Sequence, residues 1–305
     1  MPHTCGVACS RILLIRCRLF SNLSNKATNF LLEIIKNADE NVYDRSVVPA
    51  LQFTLCHHVD PNCAGYLWIS CNEMGFRAED VDAICRINKS TKVKEAQTGG
   101  SVPSRGVGFK SVFKIADVVW ISSGPFQFKL DRRERLGIIT PTRSSLPYNP
   151  PIQGNTVFCL QIPSETDFED VKSQLKSVQP MLLLFLKQLV AIKISIRDAN
   201  IDIPRVLSKS ISRTRQPRQV EIVQLQDNTL TYRYYSITRH IPEMPKEEKR
   251  GGYSESEMML AFPINQINNL DNTWSQNLYS FFPIRRSGFP VSRSIWTLMG
   301  GGFTN

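Results

Sequence analysis

The chain has 305 residues, 42% of them apolar and 21% charged, with a formal net charge of +10 and a pI near 9.3. That length suits one large domain, or one domain plus part of a second, and the composition is ordinary for a globular protein. No apolar run reaches the roughly 18 residues that a membrane-spanning helix needs, so no span is expected.

In chain order, residues 1–25 form an atypical opening rich in Cys and Arg. Its apolar stretch resembles a secretion signal only briefly, because Arg16 and Arg18 interrupt it and no small-residue cleavage site follows. From Ala27 to Asn41, Phe30, Leu31, Ile34, Ile35 and Ala38 recur at helical spacing. Tyr66 to Cys71 reads as a strand, and Ala78 opens a short helix to about Arg86 with Glu79 and Asp80 at its positive end.

A stretch rich in glycine and serine, Thr98 to Gly108, precedes a helix from about Phe109 to Ala116. Strands from Val118 and from Phe126 then flank Ser123-Gly124-Pro125 as a hairpin. Residues 137–153 are proline-rich and read as loop, Asn155–Ile162 as strand, and Phe168–Leu189 as one long helix kinked at Pro180. Ala191–Arg197 is a strand, followed by a basic polar stretch; Val220–Leu225 and Leu230–Ile237 form a hairpin across Asp227-Asn228. Met258–Ile264 and Leu278–Ile284 are the last strands. Together these predict an α/β sandwich with mixed strands.

The eight cysteines are too scattered for a disulfide scaffold, so reduced, buried thiols in a cytoplasmic or nuclear protein are the expectation. Cys56-His57-His58 with Cys63 matches no standard zinc spacing. Basic residues gather between Lys193 and Arg218, including Arg197, Arg205, Lys209 and Arg213. Such a surface can attract nucleic acid, but no stacking aromatics are interleaved, and a solvated face is the better reading.

Four features carry chemistry. Glu33 and Asn37 lie four apart on one helical face. A carboxylate there can polarise a water, and a carboxamide oxygen one turn along can ligate magnesium, although any surface helix offers such pairs. Glu73 leaves a strand within Asn72-Glu73-Met74-Gly75-Phe76. Its carboxylate can accept from an exocyclic amine, and Gly75 lets the backbone approach a ring; an ordinary strand-to-helix turn would look the same. Gly106-Val107-Gly108-Phe109-Lys110 precedes a helix, where freed amides and the helix terminus suit an anion. Thr156 opens a strand and offers a hydroxyl near a base, or is a strand threonine and nothing more.

The order of these features carries a resemblance. Phe30-Leu-Leu-Glu-Ile-Ile-Lys-Asn-Ala-Asp39 resembles the N-box of the GHKL superfamily of gyrases, heat-shock chaperones, histidine kinases and MutL proteins. Ile84 to Lys92, Gly106 to Ser111 and Ile115 to Val119 look like the ninety-kilodalton heat-shock chaperones, and the whole pattern over residues 28–163 is similar to the sacsin/NO VEIN-like branch. Phe281 to Phe289 more loosely resembles the start of that branch's second domain.

The resemblance implies a Bergerat fold: a two-layer sandwich of a mixed, largely antiparallel sheet covered by helices. An ATP-binding domain would occupy residues 26–200, and residues 201–305 would hold part of a second α/β domain, as in a truncated copy. It implies Glu33 as general base and Asn37 as magnesium ligand. Glu73, Gly75 and Thr156 would form the adenine pocket, and Gly106, Val107, Gly108, Phe109 and Lys110 the phosphate lid. Arg77 and Pro103 stand where that pattern usually has glycine.

The expected function is an ATP-binding module of a chaperone or scaffold, with magnesium and slow hydrolysis. Its partners would be ATP or ADP and a protein client. The alternative is a degenerate interaction domain that keeps the fold without turnover. A histidine kinase is disfavoured, since no histidine sits in a recognisable phosphoacceptor helix.

Overall fold

The computed structural model describes residues 29–60, 63–85, 109–133, 141–150, 154–198, 201–213, 220–241, 256–264, 276–280 and 282–287. Helix α1 spans Asn29–Asp39 because its apolar residues recur every three to four positions; Phe30, Leu31, Ile35 and Ala38 are all buried on one face. Burying a side chain such as Ile35 contributes about 1.5–3 kcal/mol.

Strand β1 (Ala50–Asp60) follows, absent from the elements predicted above. Its Leu51, Phe53 and Leu55 alternate in the period of a strand and are fully buried. Strand β2 (Cys63–Cys71) pairs antiparallel with β1 and is buried at every position, which marks it as a central strand. Gly65 is required there, since a β-carbon would sit 2.4 Å from the Cys56 carbonyl and 2.8 Å from the Phe168 ring.

Helix α2 runs Ala78–Cys85. The stretch after Phe109 forms a short 3₁₀ turn, Lys110–Lys114, in place of the predicted helix. Strands β3 (Val118–Ser123) and β4 (Phe126–Asp131) form the expected hairpin, turning at Gly124 with φ +54°. A two-residue strand β5 (Thr142–Arg143) pairs with β4, and β6 (Thr156–Ile162) lies between β2 and β3.

Helix α3 covers Glu165–Ser177 and is capped by Ser164, whose hydroxyl accepts from the Asp167 amide at 3.2 Å. It buries Phe168, Val171 and Leu175. The predicted long helix breaks here. The chain leaves the helix at Val178, extended at ψ 120°, stays extended at Gln179 before Pro180, and restarts as a 3₁₀ turn over Pro180–Phe185.

Strands β7 (Ala191–Asp198), β8 (Ile201–Arg213), β9 (Val220–Asp227), β10 (Leu230–Ile241) and β11 (Ser256–Pro263) complete the main sheet. β12 (Gln276–Ser280) and β13 (Phe282–Ser287) pair separately. The main sheet has eleven strands in the order β11-β10-β9-β8-β7-β1-β2-β6-β3-β4-β5. β1 and β7 run parallel, and the other neighbours antiparallel.

This corrects the expected helix-covered two-layer sandwich. The molecule is a wide mixed sheet with three α-helices among the described residues. Two stretches account for the difference. β1 was not read as a strand, and the basic segment after Arg197 is the thirteen-residue strand β8. Through β8, strands β9 to β11 continue the sheet that carries the N-terminal elements.

The charges that disguised β8 are largely paired. Arg205 grips Asp227 through two contacts of 2.8 and 2.6 Å, Arg197 meets Asp202 at 3.0 Å, and Arg213 meets Glu221 at 3.6 Å. Arg215 and Arg218 lie outside the described residues. The main core lies where α1, α3 and the 3₁₀ turns pack on the sheet. Tyr66, Trp68, Val157 and Cys159 form a smaller cluster that alternates with it along β2 and β6.

Candidate functional site

The site grows from the end of β2. Asn72 ties that end to β1, accepting from the Ala50 amide at 2.8 Å and donating to the Val48 carbonyl at 2.9 Å. The Met74 amide donates to the Val42 carbonyl at 2.9 Å. Gly75 then turns at φ +93°, a region that an L side chain rarely adopts. The result is a rigid turn that carries Glu73 inward, where it is 3% exposed.

Thr156 donates its hydroxyl to Glu73 Oε1 at 2.7 Å. The Thr156 hydroxyl lies 2.6 Å from that of Ser123, and Ser123 Oγ accepts from the Phe76 amide at 2.8 Å. Asn155 Nδ2 donates to the Glu73 carbonyl at 2.5 Å. Gly154 permits this closeness, since a β-carbon there would fall 2.1 Å from Ser70 Oγ. Three strands and one turn thus converge on one buried carboxylate.

Beside Glu73 lies a cavity of about 60 Å³. Asn37 and Asn41 supply its other polar edge, and Ile34, Leu51 and Leu160 are among its apolar walls. Phe109 and Phe76 also line it, each against Phe158, with ring centroids 5.6 and 6.0 Å apart. The structure therefore brings Asn37, Glu73 and Phe109 to one cavity.

Glu33 lies one helical turn before Asn37, half-buried, and is not among the lining residues. Thr156 reaches the site through Glu73. Gly75 shapes the turn below it. Lys110 begins the 3₁₀ turn, and Gly106, Val107 and Gly108 lie outside the described residues, as do Pro103 and the stretch before it.

Sequence reasoning missed several residues that organise this region. Asp39 accepts three backbone N–H groups, from Lys187, Gln188 and Leu189, each at 2.8 Å. Gln188 Nε2 also donates to the Asn41 carbonyl at 2.8 Å, so the end of α1 and residues 187–189 are locked together. Lys209 of β8 is buried beside this knot and donates to the Leu186 carbonyl. Burial lowers its ammonium's pKa, and the Asp39 charge opposes that shift.

Tyr43 donates to the Ala38 carbonyl at 2.6 Å and touches Cys71 Sγ at 3.1 Å. Burial pushes the Cys71 thiol up to about 11 and raises the Tyr43 phenol further. Asn41 reaches the cavity from the turn just past the end of α1, two residues after Asp39.

The cysteine–histidine segment serves packing. His57 Nε2 meets Glu165 at 3.0 Å and its ring stands edge-on to Phe168, while His58 lies against Tyr66 and Tyr148. Cys56, Cys63, Cys71 and Cys159 are free thiols, all but Cys56 buried. Among the described residues no group of three or more His, Cys, Asp and Glu could hold a metal ion, and no helix is long and apolar enough to cross a membrane.

No family model matches the chain. Protein NO VEIN of Arabidopsis thaliana is 26% identical over 297 residues, covering 88% of this chain and 10% of that protein. The chain thus spans about a tenth of the length of the relative it matches. A solved structure, the crystal structure of the N-terminal domain of a DNA repair protein, superposes with a TM-score of 0.37 at 13% identity, over 75% of this chain and 72% of that one. The relationship these comparisons support is to a NO VEIN-like protein.

Proposed function

We propose that the chain binds an adenine nucleotide with magnesium in the cavity between α1 and the Glu73 turn. The observation that carries this reading is the convergence of Asn37 and Glu73, 36 positions apart by their numbers, on one cavity whose other walls, Asn41 apart, are apolar. The donor set fits a base and a metal. A buried carboxylate at the floor of an apolar slot suits an exocyclic amine, and a neutral carboxamide at the rim suits magnesium beside phosphates.

The volume fits only after a rearrangement. About 60 Å³ is far below the 300–1,000 Å³ typical of ligand pockets, and the ring of Phe109 takes up space a purine would need. Phe109 is a buried member of the main core, with its ring against Phe158 at the start of a short 3₁₀ turn, so a purine would enter only by displacing part of that packing.

Bound magnesium would neutralise charge on the phosphates. Asn37 would hold it without adding a negative charge, and Glu73 would orient the base. Glu33 sits one turn from Asn37 and would take a proton from a water beside the terminal phosphate. A scaffold or chaperone role beside a protein client is the wider reading, resting on the motif resemblance over residues 28–163.

Phosphate release measured from the wild type and Glu33→Gln tests hydrolysis, because that change keeps size and removes basicity. Release that continues unchanged in Glu33→Gln removes Glu33 from this role. Binding without any release supports the second reading, an interaction domain without turnover. The occupied volume around Phe109 favours that alternative.

A further inference from the structure

Resting on the nucleotide reading, we propose that Ser123 is a positioning residue that sets the base selectivity of the Glu73 pocket, through a one-way chain of hydrogen bonds. The direction of the chain follows from its two ends. The Phe76 backbone N–H at one end can only donate, and Glu73 at the other, in its ionised form, can only accept. Thr156 gives its single hydroxyl proton to Glu73, so across the 2.6 Å contact with Ser123 it can only accept. Ser123, taking the Phe76 proton on Oγ, therefore points its own proton at Thr156.

Burial keeps the order from reversing. Ser123 is 0% exposed, Thr156 1% and Glu73 3%, so bulk water does not compete for these protons. Every hydroxyl proton in the chain is committed toward Glu73, and the chain ends as an acceptor. A 6-amino purine brings a donor to that acceptor. A 6-oxo purine brings an oxygen against it, and a site built around a buried polar group rejects such a mismatch strongly.

Ser123 does not line the cavity and acts through two neighbours. It anchors Thr156, and it anchors the amide of Phe76, whose ring is a cavity wall. Ser123→Ala orphans the Phe76 N–H and frees the Thr156 hydroxyl to turn. General loosening would weaken both kinds of purine alike; loss of this chain costs the amino purine more.

The experiment is calorimetric titration of the full chain with ATP and ITP, each with magnesium, for wild type, Ser123→Ala and Ser123→Thr. ITP differs from ATP at the 6-position. The wild type should favour ATP by about tenfold or more. Ser123→Ala should lose most of that ratio, chiefly through ATP, and Ser123→Thr should regain it because the hydroxyl is kept. Unfolding curves of each variant establish that the fold is intact, and the wild-type ratio needs no variant. No binding of either nucleotide overturns the nucleotide reading and this inference with it. Equal affinity of the wild type for ATP and ITP overturns this inference and leaves the nucleotide reading standing. An unchanged ratio in a folded Ser123→Ala removes Ser123 from the role.

Discussion

Thr156 and Glu73, 83 positions apart in the chain, meet across 2.7 Å in a place where neither sees water. The contact joins the first residue of β6 to the turn that follows β2, and so fixes where the buried carboxylate points.

Thr156→Val keeps the shape of the side chain and removes the donor. Glu73 Oε1 then loses the Thr156 hydrogen bond, and the Ser123 proton loses its acceptor. The expected cost is about 1–3 kcal/mol, read as a lower denaturant midpoint with unchanged slope. Thr156→Ser keeps the hydroxyl and should lose only about the 0.8 kcal/mol of one buried carbon. Equal midpoints for Thr156→Val and the wild type would show that the contact is not made in solution.

Asp39 supports a second prediction. One carboxylate oxygen accepts from Gln188 and Leu189, the other from Lys187. Asp39→Ala leaves three amides, that of Leu189 buried, and the neighbouring buried Lys209 without that charge, so the loss should be about 3 kcal/mol. Asp39→Asn keeps one oxygen for two of the amides and should fall between the two. Urea unfolding of the three proteins gives the ranking, and an Asp39→Ala as stable as Asp39→Asn would contradict it.

These residues divide what the sequence discloses from what it hides. The helical period from Phe30 to Ala38 was legible because a helix repeats its environment every turn, and α1 lies where that period places it. Glu73, at the end of an apolar run, was legible as a turn residue. Ser123 was not, because its role depends on β3 lying beside β6, a pairing that no local pattern encodes. β1 carries the alternation of Leu51, Phe53 and Leu55, but the polar Cys56-His57-His58 interrupts that pattern in its second half. β8 was hidden because its cations look solvated in one dimension, and the acids that pair Arg205 and Arg213 come from β9. Pro180 predicts a kink, but the helix ends outright at Ser177, with Val178 already extended.

Cys71 should be slow to react. Its thiol is pushed up to about 11 by burial, so very little thiolate exists at pH 8. A thiol reagent added to the folded protein should label Cys56, half-buried, before Cys71, and should reach Cys71 fully only in denaturant. Rapid labelling of Cys71 in the native state, followed by peptide mapping, would show that the β2 end opens readily.

Acid sensitivity should trace in part to Asp131. The Arg133 side chain holds this carboxyl below its ordinary value of 3.8, through contacts of 3.0 and 2.9 Å. A carboxyl lowered on folding adds stability above its unfolded pKa, and that share disappears as pH falls below about 4 through the folded value. Asp131→Asn should therefore be less stable than the wild type at neutral pH, and the two curves should converge in acid. Curves that stay parallel down to the lowest pH would remove Asp131 from the acid response.

The central claim is tested most directly by calorimetric titration of the full chain with ATP, with and without magnesium, beside Asn37→Ala. The account predicts saturable, magnesium-dependent heat in the wild type, together with thermal stabilisation that grows with the logarithm of ATP concentration. Asn37→Ala should lose the magnesium-linked part, since the neutral oxygen ligand is gone. No heat and no thermal shift at millimolar ATP with magnesium would contradict it.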